Sequence, residues 1–151
     1  MPVADMSTVV SHTPVPAATR SAFPGHALTE LLAAHDRLAK AGYGVAVPRS
    51  FMQAAPDVAA VIGPDAALAL ATAASRVAIR TSPRTAAVFL DLTIPMSRRL
   101  NTPDRFSSWV KLVLSLLKSA PESLEFLLAR AEMLDERLGL QALETWVQSG
   151  L

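Results

Sequence analysis

GPDAALALATAASRVAIRTSPRTAAVFLDLTIPMSRRL, residues 63–100, can be written directly over NTPDRFSSWVKLVLSLLKSAPESLEFLLARAEMLDERL, residues 101–138. Pro83 and Pro121 are 38 positions apart, as are Phe89 and Leu127, and Leu100 and Leu138. Phe51 and Phe89, Ile62 and Leu100, and Gly25 and Gly63 carry the same interval upstream. A fixed interval of this size marks supersecondary units that bury their apolar faces against their neighbours.

Each unit reads as helix, short turn, helix. The first helix opens on GPD (63–65) and again on TPD (102–104). Both offer a cap-compatible residue, a proline at the first helical position where no N–H is missed, and an acid near the positive end of the helix dipole. These two triplets are 39 apart, so the turn has absorbed one residue. The second helix opens in RTSPRTAAVFL (80–90), with Ser82 expected as the N-cap and Pro83 as the first helical residue. Its counterpart is KSAPESLEFLL (118–128), where both arginines are gone.

Over 103–118, Phe106, Trp109, Val110, Val113, Leu114 and Leu117 form a helical stripe. Leu112 and Leu116 add a second apolar line, which predicts a helix covered on more than one side. Over 121–138, Leu124, Leu127, Leu128, Ala131, Leu134 and Leu138 share one face, with Glu122, Glu125, Glu132 and Glu136 elsewhere.

The expected fold is therefore all-α: a HEAT-like α-solenoid of helical hairpins with a period of about 38 residues. Its units are 25–62, 63–100, 101–138 and a partial 139–151, together one domain. Phe89, Phe106, Trp109, Leu127 and Trp146 form the expected repeat core, with Leu143 and Trp146 falling over Phe106 and Trp109 at an interval of 37. The first unit has a glycine-broken middle and a less regular second helix, as a terminal unit would. The last unit is truncated at WVQSGL (146–151), which suggests a chain cut from something longer. Residues 1–24, rich in Ser, Thr, Pro, Val and Ala with no helical period, are expected to be a disordered lead-in.

Composition narrows the function. The 151 residues are 51% hydrophobic, ample for a core, and the formal net charge is +1, too small for a global pull toward nucleic acid or an acidic membrane. No cysteine is present, which removes disulfides, iron–sulfur clusters and thiolate zinc sites and fits a reducing cytoplasm. The first twenty residues show neither the basic nor the continuous apolar region of a secretory leader. The most apolar run, Ala66 to Ala74, is well short of the roughly 18–20 residues a membrane span needs. A soluble cytoplasmic protein is expected.

No catalytic constellation is found. His12, His26 and His35 lack metal-ligand spacing, and His35, in line with Leu28, Leu31, Leu32 and Leu38, reads as a packed or half-buried histidine. Glu132, Asp135 and Glu136 read as a solvated face beside Arg130 and Arg137. The chain contains no glycine-rich phosphate loop, GxSxG or HExxH. No cofactor is called for.

Charge is unevenly spread: residues 76–118 carry 8 basic and 2 acidic groups, and residues 119–151 carry 2 and 6. Arg76, Arg80, Arg84, Arg98, Arg99, Arg105 and Lys111, with Lys118 beyond them, form a basic belt. It is open to three readings: solvation or satisfaction by the acidic 119–151 region, in this chain or a second copy; docking of an acidic protein partner; and nucleic-acid binding. The last is disfavoured because no aromatics interleave the cations. The recurrence of tryptophan at 109 and 146 favours core packing over a binding hot spot.

Four stretches, SPRTAAVFL (82–90), FSSWVKLVL (106–114), SAPESLEFLL (119–128) and LETWVQSGL (143–151), resemble helical repeats of one bacterial group. These are the von Willebrand A-domain proteins that partner MoxR-type AAA+ ATPases, including the nitric oxide reductase activation protein and the Rubisco activase adaptor. The resemblance covers roughly the last two thirds of the chain. The family's DxSxS metal motif is absent, Asp91 being followed by LTIP, so no metal or catalytic residue carries over. The resemblance implies an adaptor that recognises a client or docks on the ATPase ring. The expected function is thus non-enzymatic protein–protein interaction. The alternative is a small all-α ligand-binding or enzymatic domain with a pocket near His35 and Tyr43.

Overall fold

The computed structural model describes residues 17–130, and they are helical throughout except for short connections. In order the helices are α1 (Ala17–Ala22), α2 (His26–Lys40), α3 (Ala46–Ile62), α4 (Pro64–Arg80), α5 (Pro83–Leu100), α6 (Pro103–Ser119) and α7, described over 121–130.

The helix starts obey the chemistry read from the sequence. The Ser82 hydroxyl accepts from the Thr85 N–H at 3.1 Å, and the Thr102 hydroxyl accepts from the Arg105 N–H at 3.3 Å. Pro64, Pro83 and Pro103 each follow a cap, where the missing N–H leaves no carbonyl unpaired. Gly63 alone joins α3 to α4, Thr81 and Ser82 join α4 to α5, and Asn101 and Thr102 join α5 to α6. Connections this short make consecutive helices antiparallel neighbours.

Packing follows chain order. Each described helix from α2 to α5 touches the next one, and α1 touches α3, α2 touches α4, α3 touches α5 and α4 touches α6; the most extensive contact joins α3 to α5. Buried positions recur with the interval of the sequence. Ala67, Leu70, Ala73, Ala74, Val77 and Ala78 on α4 are matched 39 residues on by Phe106, Trp109, Leu112, Val113, Leu116 and Leu117 on α6, all buried. Val47, Pro48, Phe51, Ala55, Val58, Ala59 and Ile62 on α3 are matched 38 residues on by Thr85, Ala86, Phe89, Thr93, Met96, Ser97 and Leu100 on α5. On α7, Leu124 and Leu127 continue the line of Ala86 and Phe89. At the α5–α6 seam, Phe89 stacks on Trp109 with ring centroids 5.7 Å apart and planes 18° apart, and Phe106 sits tilted at 5.9 Å.

Two expectations need correction. The lead-in is helical from Ala17, and Phe23, fully buried, belongs to the core, with α1 lying on α3. Six helical residues are too few to show a period, and a buried phenylalanine supplies the order that propensity does not. The second helix of the first unit is not the less regular one: α3 runs unbroken for 17 residues and buries nine of them. Its Pro56, like Pro95 inside α5, lies within a continuous helix, two prolines 39 residues apart in the most closely packed pair. The expected core residue Trp146, the acids Glu132, Asp135 and Glu136, and the units beyond 130 lie outside the described residues.

Candidate interaction surface

The cations of the basic belt do not share one surface. Because α4 and α5 form an antiparallel hairpin, the C-terminal end of α4 and the first turn of α5 place Arg76, Arg80 and Arg84 at one pole. Arg98 and Arg99, in the last turn of α5, and Arg105, just past the Thr102 cap, lie at the other. At about 1.5 Å of rise per residue, the poles are on the order of 20 Å apart. Arg98 approaches Asp57 of α3 at 3.6 Å with both side chains substantially exposed, a pair that contributes little to stability. Arg99 is half-buried, and Lys111 is exposed midway along α6.

At the first pole a groove of about 310 Å³ opens between α4 and α6, lined by Arg76, Ile79, Arg80, Leu114, Leu117 and Lys118. The two helices are separated in sequence by antiparallel α5, so they run in the same direction and present parallel walls. Ile79 is 70% exposed between two arginines. Among the described residues none of the three cations lies within ion-pairing distance of a carboxylate. The cations stand out in the sequence by their charge, whereas Ile79 does not. The signal was present: Ile79 falls beside the buried Val77 and Ala78 line of α4, and its counterpart 39 residues on is Lys118, a charged residue.

A second cleft of about 430 Å³ lies between the α4–α5 turn and the start of α7, lined by Arg80, Thr81, Ser82, Thr85, Pro121, Glu122 and Glu125. Its hydroxyls are committed locally. Thr81 donates to the Val77 carbonyl at 2.6 Å, and the Ser82 oxygen serves the α5 cap. Mixed charge and spent hydroxyls leave no set of donors aimed at one ligand. On α7, Arg130 covers exposed Phe126, its guanidinium carbon 3.9 Å from the ring centroid.

Around the other expected site, the Tyr43 and Ser75 hydroxyls are hydrogen-bonded at 2.7 Å, tying the glycine-containing α2–α3 turn to α4. A cleft of about 190 Å³ beside them is lined by Ala34, Arg37, Leu38, Ala71, Thr72 and Ser75. His35 is half-buried and does not line it. His26 is exposed and faces Glu30 at 3.4 Å along its own helix. The described residues hold no group of three or more His, Asp or Glu side chains placed for a metal ion, and no helix among them is long and apolar enough to cross a membrane.

Comparison with protein-family models, curated proteins and solved structures gives no match to this chain.

Proposed function

We propose that this chain is a non-enzymatic protein-interaction module built as an α-solenoid of stacked hairpins with a period of about 38 residues. The observation that carries the functional half of this reading is the α4–α6 groove: a mostly exposed isoleucine and three cations without carboxylate partners among the described residues. What supports docking is the combination, an exposed apolar side chain set in a groove with cations on both walls, which suits a partner surface that is both apolar and acidic. Support for the solenoid comes from the recurrence of buried positions at 38 and 39 residues and from the main contacts of the described helices running to the next helix and the next but one. Within this reading, the resemblance to helical regions of von Willebrand A-domain proteins makes a MoxR-type AAA+ ATPase or its client the partner to try first, in a bacterial cytoplasm.

A photo-crosslinking residue at position 79, introduced in the full chain in the source cell, tests the module. Discrete protein adducts at 79 that are absent with the crosslinker at exposed Ala60 of α3 are the expected result. Equal labelling at both positions would remove the reading. The competing ligand-binding reading rests on the Tyr43–Ser75 bond and its adjoining cleft, where Arg37 is the only charged lining group. A ligand-induced rise in melting temperature that is lost in Ser75→Ala would favour it instead.

A further inference from the structure

Resting on the interaction-module reading, we propose that the groove between α4 and α6 accepts an acidic amphipathic helix from a partner protein, apolar side chains inward and carboxylates along both edges. Three observations fix that chemistry. The floor is apolar, made of Ile79, Leu114 and Leu117, and Leu117 is buried while Ile79 stands mostly free. The rim is cationic on both walls, Arg76 and Arg80 on α4 and Lys118 on α6, and no carboxylate is among the lining residues. The nearest acids that share a cleft with Arg80, Glu122 and Glu125, line the neighbouring cavity instead.

The spacing favours a helix over an extended strand. Lining residues recur at i, i+3 and i+4 on each wall: 76, 79 and 80 on one, 114, 117 and 118 on the other. Two parallel ridges one helical turn in repeat form the groove into which a third helix packs, its anchors also three and four residues apart. A ligand without apolar anchors would leave Ile79 in water. One without carboxylates would bring no countercharge to three cations brought close together and partly desolvated. A basic or neutral helix is therefore rejected by the same residues that accept an acidic one.

The test uses the full chain and a fluorescein-labelled synthetic peptide: an alanine-based helix with two leucines four residues apart, flanked by four glutamates. Two control peptides carry lysine for glutamate or serine for leucine. Fluorescence anisotropy should show saturable binding of the acidic peptide alone, weakened at least ~10-fold by Ile79→Ser, the scale expected for losing one buried apolar side chain. Arg76→Glu with Arg80→Glu should weaken it further, and raising salt from about 50 to 500 mM should lower the affinity in the same direction. Circular dichroism confirms folding of each variant, and Lys118→Glu supplies an independent substitution on the opposite wall.

Absence of binding overturns the proposal, as does equal binding of the lysine peptide or indifference to Ile79→Ser. Dimerisation of the free chain that disappears in Ile79→Ser would also overturn it, by placing a second copy in the groove. If crosslinking at 79 still captures a discrete protein while the acidic peptide fails, the module stands and the partner chemistry assigned here falls.

Discussion

Gly63 crosses from α3 to α4 alone, at φ 116° and ψ 158°, a region of backbone space that a side chain makes strained. A Cβ at this position would meet no atom within 4 Å, so the penalty of a larger residue is conformational, not steric. Gly63→Ala is expected to lower stability by about 1–3 kcal/mol, measured by urea denaturation. Asn101, at φ 44°, performs the corresponding α5–α6 crossing in the left-handed region, where its N–H caps the Ser97 carbonyl. Asparagine tolerates that region and a β-branched residue does not, so Asn101→Gly should be neutral or slightly stabilising while Asn101→Val destabilises. Ser82 was readable in advance as an N-cap because a serine before a proline at N1 has a local role that needs no tertiary information. Ser82→Ala should cost about 1 kcal/mol in the same assay. Gly63 could be recognised as a break, but its φ depends on how close α3 and α4 lie, which no local pattern states.

Burial on α4 and α6 shows how an element can keep its contacts while changing its residues. Where α4 buries alanine at 67, 73 and 74, α6 places Phe106, Leu112 and Val113. Small residues let α4 approach both α3 and α5 closely, and the larger ones on α6 fill the seam where Trp109 meets Phe89. Trp109→Ala should therefore cost roughly 3–5 kcal/mol, while Ile79→Ser, exposed on the groove, should remain within about 0.5 kcal/mol of wild type in thermal or urea melts. That contrast separates the core stripe from the docking candidate. The stripe was legible because six of the eight apolar positions named on 103–118 are buried, with Val110 and Leu114 partly covered. Helix α1 was not, since its order depends on Phe23 reaching a core built by residues further along. The basic belt was misleading at this scale: proximity in sequence joined cations that a helix of 18 residues holds at opposite ends.

At the scale of the whole molecule, the described helices α2 to α5 each touch the next one and α1 to α4 each touch the next but one, so on the solenoid reading stability is expected to vary along the chain. Helices α3, α4 and α5 are enclosed by described neighbours on both sides in chain order, whereas α1 and α2 form one end. Amide hydrogen exchange should be slowest on α3, α4 and α5 and fastest on α1. Phe23→Ala gives the decisive comparison. It removes a fully buried ring directly after α1, the helix that touches α3, far in chain order from the Phe89–Trp109 seam of α5 and α6. In a molecule stabilised by nearest-neighbour interfaces, it should accelerate exchange on α1 to α3 and leave α6 amides near their wild-type rates. A uniform acceleration over α2 to α6 would mean one indivisible cooperative core, and the solenoid reading would give way to a compact helical domain. Because Ile79, Leu114 and Leu117 lie on α4 and α6, the same measurement on Phe23→Ala also establishes whether the groove stays intact when the far end loosens. An accelerated α1 beside protected α4 and α6 amides is the result expected, on the solenoid reading, of a docking surface carried by its own helices.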